Sequence, residues 1–264
     1  MRFYLDMVGR VILGMVDTGR GLGAFALITL GTTISKFGAA KAVIRPQIRN
    51  QIFESGLKLL PMIAFLGLAL GFVIIGQTVA LLTSVGAHEY TGPVMVAVVV
   101  RELGPLTTAL IVLARVGTAT VIELGMSRAT GEVEALEALA IDPIHLMVVP
   151  RVIGQAVSIF ALTIYLILIA LVSGYLFIMV QNVPLTPAAY ADQITSALTW
   201  QDFVLVALKT LAFGAIIAVV TCYQGLAQPL RLEQVAAATS RAVVVGTIGC
   251  VMVDAIFILL FLLV

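Results

Sequence analysis

Five polar side chains stand inside long apolar stretches of this 264-residue chain: Gln77, Arg101, Glu102, Lys209 and Asp254. Ionisable groups at such positions are costly to bury and are functional candidates for that reason. Helix rise gives their depth. Arg101 and Glu102 lie roughly 12–14 Å in from Pro93, Lys209 roughly 13 Å from Trp200, Asp254 roughly 15 Å from Val264, and Gln77 roughly 10 Å from Ser84. Four stretches thus place polar groups in one layer, and the four ionisable groups sum to zero charge. Two chemistries fit this layer. One is a structural network that pairs Arg101 with Asp254 and Lys209 with Glu102. The other is a polar pocket for an anionic head group, with apolar walls for its tails. Arg115 and Glu123 follow further along the second stretch. Their spacing of eight residues puts them on roughly one helix face. They read as a snorkelling interfacial arginine and a helix-end carboxylate, with a ligand site as the alternative.

Other chemistries lack their residues. The chain has no G-x-x-x-x-G-K-[ST] phosphate loop, no H-E-x-x-H helix and no G-x-S-x-G elbow. Ser158 and Ser173 fall in or beside apolar stretches, but His88 and His145 both read as loop residues. One aspartate well inside a stretch does not make a paired-aspartate protease. Cys222 and Cys250 give neither a disulfide framework nor metal spacing. An enzyme and a metal site are therefore not expected. A net charge of +1 without a basic stripe argues against nucleic acid as a partner.

Composition explains where these residues must sit. Hydrophobic residues make up 61% of the chain and charged residues 11%, far from the soluble average of about 25% charged. Five stretches reach the roughly 20 apolar residues that a membrane helix needs: 57–83, 93–121, 148–180, 203–223 and 242–264. None alternates with period two, so the expected class is all-α and polytopic. Residues 21–34 are apolar but short and glycine-rich; a sixth span, a re-entrant piece and an interfacial helix all fit. Residues 42–58 interleave apolar side chains with Arg45, Arg49 and Glu54, as an amphipathic surface helix does. The expected organisation is an interfacial region, 1–55, followed by one transmembrane domain, 56–264. Lys and Arg gather before the first span, in the loop 127–151 and in 224–241. Five spans with a cytoplasmic N-terminus and an outer C-terminus put all of these inside. No short apolar core followed by a cleavage site marks a signal peptide. Five spans are few for a pathway enclosed by one chain, so a two-fold dimer is expected.

The inner loop carries its own element. Residues 131–142 contain strong helix formers, with Thr130 as the expected N-cap and Glu132 and Glu134 in the first turn. Val133, Leu136 and Ala140 share a face, Glu134 and Glu137 point elsewhere, and Pro143 stops the helix. Such a helix packs on its own membrane domain, lies on the lipid surface or docks a cytoplasmic partner.

The motifs that carry a resemblance run in order: Arg101-Glu-Leu-Gly-Pro105, Ala114-Arg-Val-Gly-Thr118, Glu123-Leu-Gly-Met-Ser-Arg-Ala-Thr130, Glu134 through Pro143, Pro150-Arg151, Ala207-Leu-Lys-Thr210, Ser240-Arg241 and Val253-Asp254. In this order and spacing, over roughly residues 45–264, the chain resembles the MlaE (YrbE) permeases, the membrane subunits of ABC transporters that work with MCE-domain proteins. The resemblance implies a homodimer in the bacterial cytoplasmic membrane, with separate ATPase subunits that bind ATP and Mg²⁺, a periplasmic MCE protein, and phospholipid as cargo. It implies a coupling helix at 132–141, carrying Glu132, Val133, Glu134, Leu136, Glu137 and Leu139. It implies a lipid cavity formed largely by the first, second and fifth spans, to which this sequence supplies Gln77, Arg101, Glu102 and Asp254. Lys209 joins them as part of the polar layer. Gly67, Gly71 and Gly76 on the first span allow either close helix approach or a cavity. The competing reading is a stand-alone ion-coupled transporter or channel, with Glu102, Lys209 and Asp254 as its relay.

Overall fold

The structure is a computed structural model that describes residues 18–33, 41–87, 90–180, 186–226 and 232–263. Its described residues are almost wholly helical, and five helices are long and apolar enough to cross a membrane: Ile44–Leu82, Thr91–Ala129, Ile144–Val180, Trp200–Leu226 and Val235–Phe261. They are called the first to fifth spans. The expected all-α class with five spans holds, and each span outruns the apolar stretch that announced it. Among the described residues, four short helices are also distinguished: α1 (18–33), α2 (Lys41–Ser55), which forms the opening segment of the first span, α3 (Glu132–Ala138) and α4 (Pro187–Ala197). The face carrying α3 is called lower and the face carrying α4 upper.

The third span is the hub. It packs on α2 and on the first, second and fourth spans; the fourth packs in turn on the second and fifth. Apolar side chains fill the junctions, with Phe213, Ile63, Leu113, Leu162, Leu166 and Ile217 buried together at the centre. Glycine sets the closest approach. A Cβ at Gly71 would collide with Ser173 Oγ and the Ala170 carbonyl, and one at Gly76 with Phe177. A Cβ at Gly67 would press on Ile169. Gly67, Gly71 and Gly76 therefore serve helix contact with the third span, not a cavity.

The short pieces settle several local questions. The described residues 18–33 of α1 lie against the fourth and fifth spans. Phe25 meets Tyr223 of the fourth span edge-on at 5.8 Å between ring centres, and α1 encloses with the fourth and fifth spans an apolar cavity of about 530 Å³. Helix α2 joins the rest of the first span through a tight turn, Leu57–Leu59, after Gly56. Helix α4 lies between the third and fourth spans, outside every apolar stretch of the sequence. Thr186 caps it, accepting a hydrogen bond from the Ala189 amide at 3.3 Å, and Pro187 opens its first turn. The Tyr190 hydroxyl ties α4 to the third span by donating to the Leu171 carbonyl at 3.0 Å.

Loop 130–143 departs from expectation at its start. The N-cap is Gly131, in the left-handed region at φ +82°, which glycine adopts without steric cost. Thr130 instead turns its hydroxyl back to the Met126 carbonyl at 3.1 Å. The far end closes by a paired C-terminal motif: the Ile141 amide donates to the Leu136 carbonyl at 2.9 Å and the Ala140 amide to the Glu137 carbonyl at 3.0 Å. That geometry puts Ala140 at φ +57°, where a Cβ is unfavourable.

Candidate functional site: a charged network across three spans

The polar layer is real, and Lys209 is its centre. The ammonium Nζ lies 2.7 Å from Glu102 Oε2 and 2.7 Å from Asp254 Oδ1. It also donates to the backbone carbonyl of Arg101 at 3.0 Å. The R-E-L-G-P sequence explains that last contact. Pro105 has no amide proton for the carbonyl four residues earlier, which is that of Arg101. The helix is also wound as a π-helix over Val96–Leu103, a distortion common at functional sites. Lys209 thus satisfies a carbonyl that proline leaves free, while its charge joins the second, fourth and fifth spans.

Arg101 departs from the expected pairing. Its Nε lies 2.6 Å from Asp202 Oδ1, not beside Asp254. Asp202 is 1% exposed, and its other oxygen accepts from the Thr199 amide at 2.8 Å and the Thr199 hydroxyl at 2.9 Å. The Arg101 guanidinium also sits over the Phe261 ring at 4.3 Å, a cation–π contact. Asp254 goes to Lys209 because the fifth span turns it toward the fourth. With all five groups ionised, two cations and three carboxylates sum to −1.

Burial within the network is graded. The Lys209 side chain is 4% exposed, whereas Glu102 is 37% and Arg101 24% exposed. Only about 20 Å³ of cavity remains among Arg101, Glu102, Lys209, Val206 and the rings of Phe257 and Phe261. Gln77 is exposed on the first span, and among the described residues no hydrogen bond or ion pair joins it to the network.

At the lower face Glu123 does not act with Arg115. Glu123 Oε1 lies 2.7 Å from Arg151 Nη2 of the third span. Arg115 is exposed within a π-helical turn, Leu113–Gly117. Helix α3 shows two characters. Val133, 2% exposed, packs with Leu124, Val148, Cys222 and Leu226, at the lower ends of three spans. Glu134 reaches Arg128 at 3.3 Å, and Leu136 is half-buried. Ala140, expected on the apolar face, is exposed. Glu132, Glu137 and Leu139 face outward, Leu139 being 71% exposed. A helix fixed to three spans by one side and offering acid and leucine on the other can transmit a push.

Comparison with known proteins matches these features. Residues 48–260 match the family described as Permease MlaE. A probable ABC transporter permease protein of Rickettsia conorii is 30% identical over 238 residues, covering 88% of this chain and 89% of that protein. The intermembrane phospholipid transport system permease protein MlaE of Haemophilus influenzae is 26% identical over 242 residues, covering 91% and 90%. The chloroplastic protein TRIGALACTOSYLDIACYLGLYCEROL 1 of Arabidopsis thaliana is 28% identical over 212 residues, 78% of this chain and 58% of that protein. Five membrane-length helices knit by a charged network, under a loop helix anchored to three of them, are thus the framework of a membrane permease subunit of an ABC transporter, and this chain belongs to the MlaE permease family.

Proposed function

We propose that two copies of this chain form the permease of an ABC transporter that moves phospholipid between the cytoplasmic membrane and a periplasmic MCE-domain protein. Separate ATPase subunits bind the ATP and Mg²⁺; the permease itself catalyses no reaction. The lower face is cytoplasmic, with the N-terminus, and the C-terminus is periplasmic. The observation that carries the reading is α3. Its acidic, leucine-bearing side suits docking to a soluble ATPase, and buried Val133 links it to the ends of the second, third and fourth spans. Closure of the ATPases would push α3, and through Val133 the spans.

The network supplies the lipid end of this reading. Arg101 and Glu102 are its half-exposed edge, beside Phe257 and Phe261, and they would meet the lipid head group, with Gln77, Lys209 and Asp254 completing the layer. The fifth span exposes Val244, Ile248, Val251, Met252, Ile256 and Leu259, an apolar stripe that suits a second copy. The Haemophilus relative's name, a phospholipid transport permease, agrees with this cargo. The test is paired. The double variant Arg101→Ala, Glu102→Ala should lower co-purifying phospholipid and transport while the ATPase stays bound. The double variant Glu134→Lys, Leu136→Asp should release the ATPase while bound lipid stays. Unchanged lipid in the first would refute the head-group assignment, and an unchanged ATPase in the second would refute the coupling role.

A further inference from the structure

A polar cavity of about 430 Å³ opens at the lower face, remote from the charged network. Pro46, Gln47, Asn50 and Gln51 of α2 form one wall; Glu123 of the second span and Leu146, Met147, Pro150 and Arg151 of the third form the others. Helix α2 can lie this close because residue 154 is glycine, whose missing Cβ makes room for the Gln51 side chain. The volume far exceeds the roughly 30 Å³ share of one water.

Its depth is the first clue to an occupant. The second and third spans have 39 and 37 residues, about 58 and 55 Å of helix, against about 30 Å of hydrocarbon. Roughly 13 Å of each end therefore stands in the head-group layer. Glu123 is six residues from Ala129 and Arg151 seven from Ile144, about 9–10 Å. Both lie at head-group level. Ile122 and Met126 flank Glu123 and are exposed, an apolar track along which acyl chains can run.

The lining chemistry is the second clue. Arg151 has five N–H donors. Nη1 donates to the Met147 carbonyl at 2.7 Å and Nη2 faces Glu123, which leaves further donors for a phosphate. The buried Oε1 of Gln47 has no hydrogen-bond partner, so an acceptor waits beside the 68%-exposed Glu123 carboxylate. Anion-binding and amine-binding groups thus stand side by side.

We propose that this cavity is a second lipid site, which holds the phosphoethanolamine head group of a lower-leaflet phospholipid. Arg151 takes the phosphate, and Glu123 with Gln47 takes the ammonium. The lower leaflet is cytoplasmic only under the orientation given above; the site itself stands on its own geometry. A head group without the amine brings no counter-charge to Glu123 and leaves its own net negative charge beside that carboxylate, so the site discriminates.

Native mass spectrometry of the purified full-length assembly tests this, titrated separately with phosphatidylethanolamine and phosphatidylglycerol. The wild type should prefer phosphatidylethanolamine by about tenfold, the weight of one charge-assisted hydrogen bond. Glu123→Gln should erase the preference. Gln47→Leu with Asn50→Leu, which leaves the Arg151–Glu123 pair intact, should weaken phosphatidylethanolamine binding by about fivefold. Equal binding of the two lipids by the wild type, or an unchanged ratio in Glu123→Gln, would overturn the proposal. Free phosphoethanolamine at millimolar concentration should leave the bound lipid in place; complete displacement would mark a small-solute site and overturn the lipid assignment. Arg101→Ala with Glu102→Ala should leave this lipid bound, so failure of the upper site and failure of this one are separable.

Discussion

The two polar regions of this molecule solve opposite problems. In the upper network every cation lies within 2.7 Å of a carboxylate oxygen, and about 20 Å³ of space is left. The lower cavity has one ion pair, an acceptor with no partner and about 430 Å³ of space. Depth accounts for the difference. Charges nearer the hydrocarbon must satisfy each other, because an unpaired buried charge is severely penalised. Groups at head-group level can leave capacity unused, because water or a head group fills it. The upper region therefore holds helices together, whereas the lower region keeps open space beside groups with unused hydrogen-bonding capacity.

The largest effect should come from Lys209→Met. It removes the shared partner of Glu102 and Asp254 and should cost about 3–5 kcal/mol, as breaking a buried pair does; thermal unfolding in detergent reads it. Adding Glu102→Gln and Asp254→Asn should recover much of the loss, since no unpaired charge then remains. Arg101→Ala should cost less, about 2 kcal/mol, because Asp202 keeps its two bonds from Thr199; the same melt checks it. At the lower face Ala140→Gly should slow amide exchange in 132–141, corresponding to a gain of up to about 1 kcal/mol, by removing a Cβ from a left-handed position. The smallest change should be Glu123→Gln, about 0–1 kcal/mol in the melt, as expected for a pair with one exposed partner. A loss there as large as that of Lys209→Met would erase the contrast between the regions.

Residue type alone exposed much of the upper site. Arg101, Glu102, Lys209 and Asp254 stand out because charge is rare in apolar stretches, and helix rise put them in one layer. The Lys209–Glu102 pair was legible, but Arg101 goes to Asp202 and Asp254 to Lys209, which depends on how each span is rotated. Asp202 escaped notice at the start of the fourth span, although the T-x-x-D spacing from Thr199 is a helix-start signal. Helix α4 escaped likewise, although Thr186-Pro187 is an N-cap followed by proline. The lower cavity was beyond sequence reasoning: Gln47, Glu123 and Arg151 are far apart in the chain and meet only through packing. The five spans were legible because apolar length is a local property, while their true ends extend into polar residues that no hydropathy count includes. Strong helix formers ahead of Pro143 placed a helix in this loop, and α3 is there, but its cap fell to Gly131 because the Thr130 hydroxyl satisfies the preceding turn.

The central claim is that a separate ATPase drives this permease. Affinity purification of the tagged chain from native membranes in mild detergent, with mass spectrometry of what accompanies it, tests this most directly. The account predicts recovery of a phosphate-loop ATPase together with an MCE-domain protein. Recovery of the chain alone, under conditions that keep other membrane complexes intact, would contradict it and favour an ion-coupled carrier built on Glu102, Lys209 and Asp254.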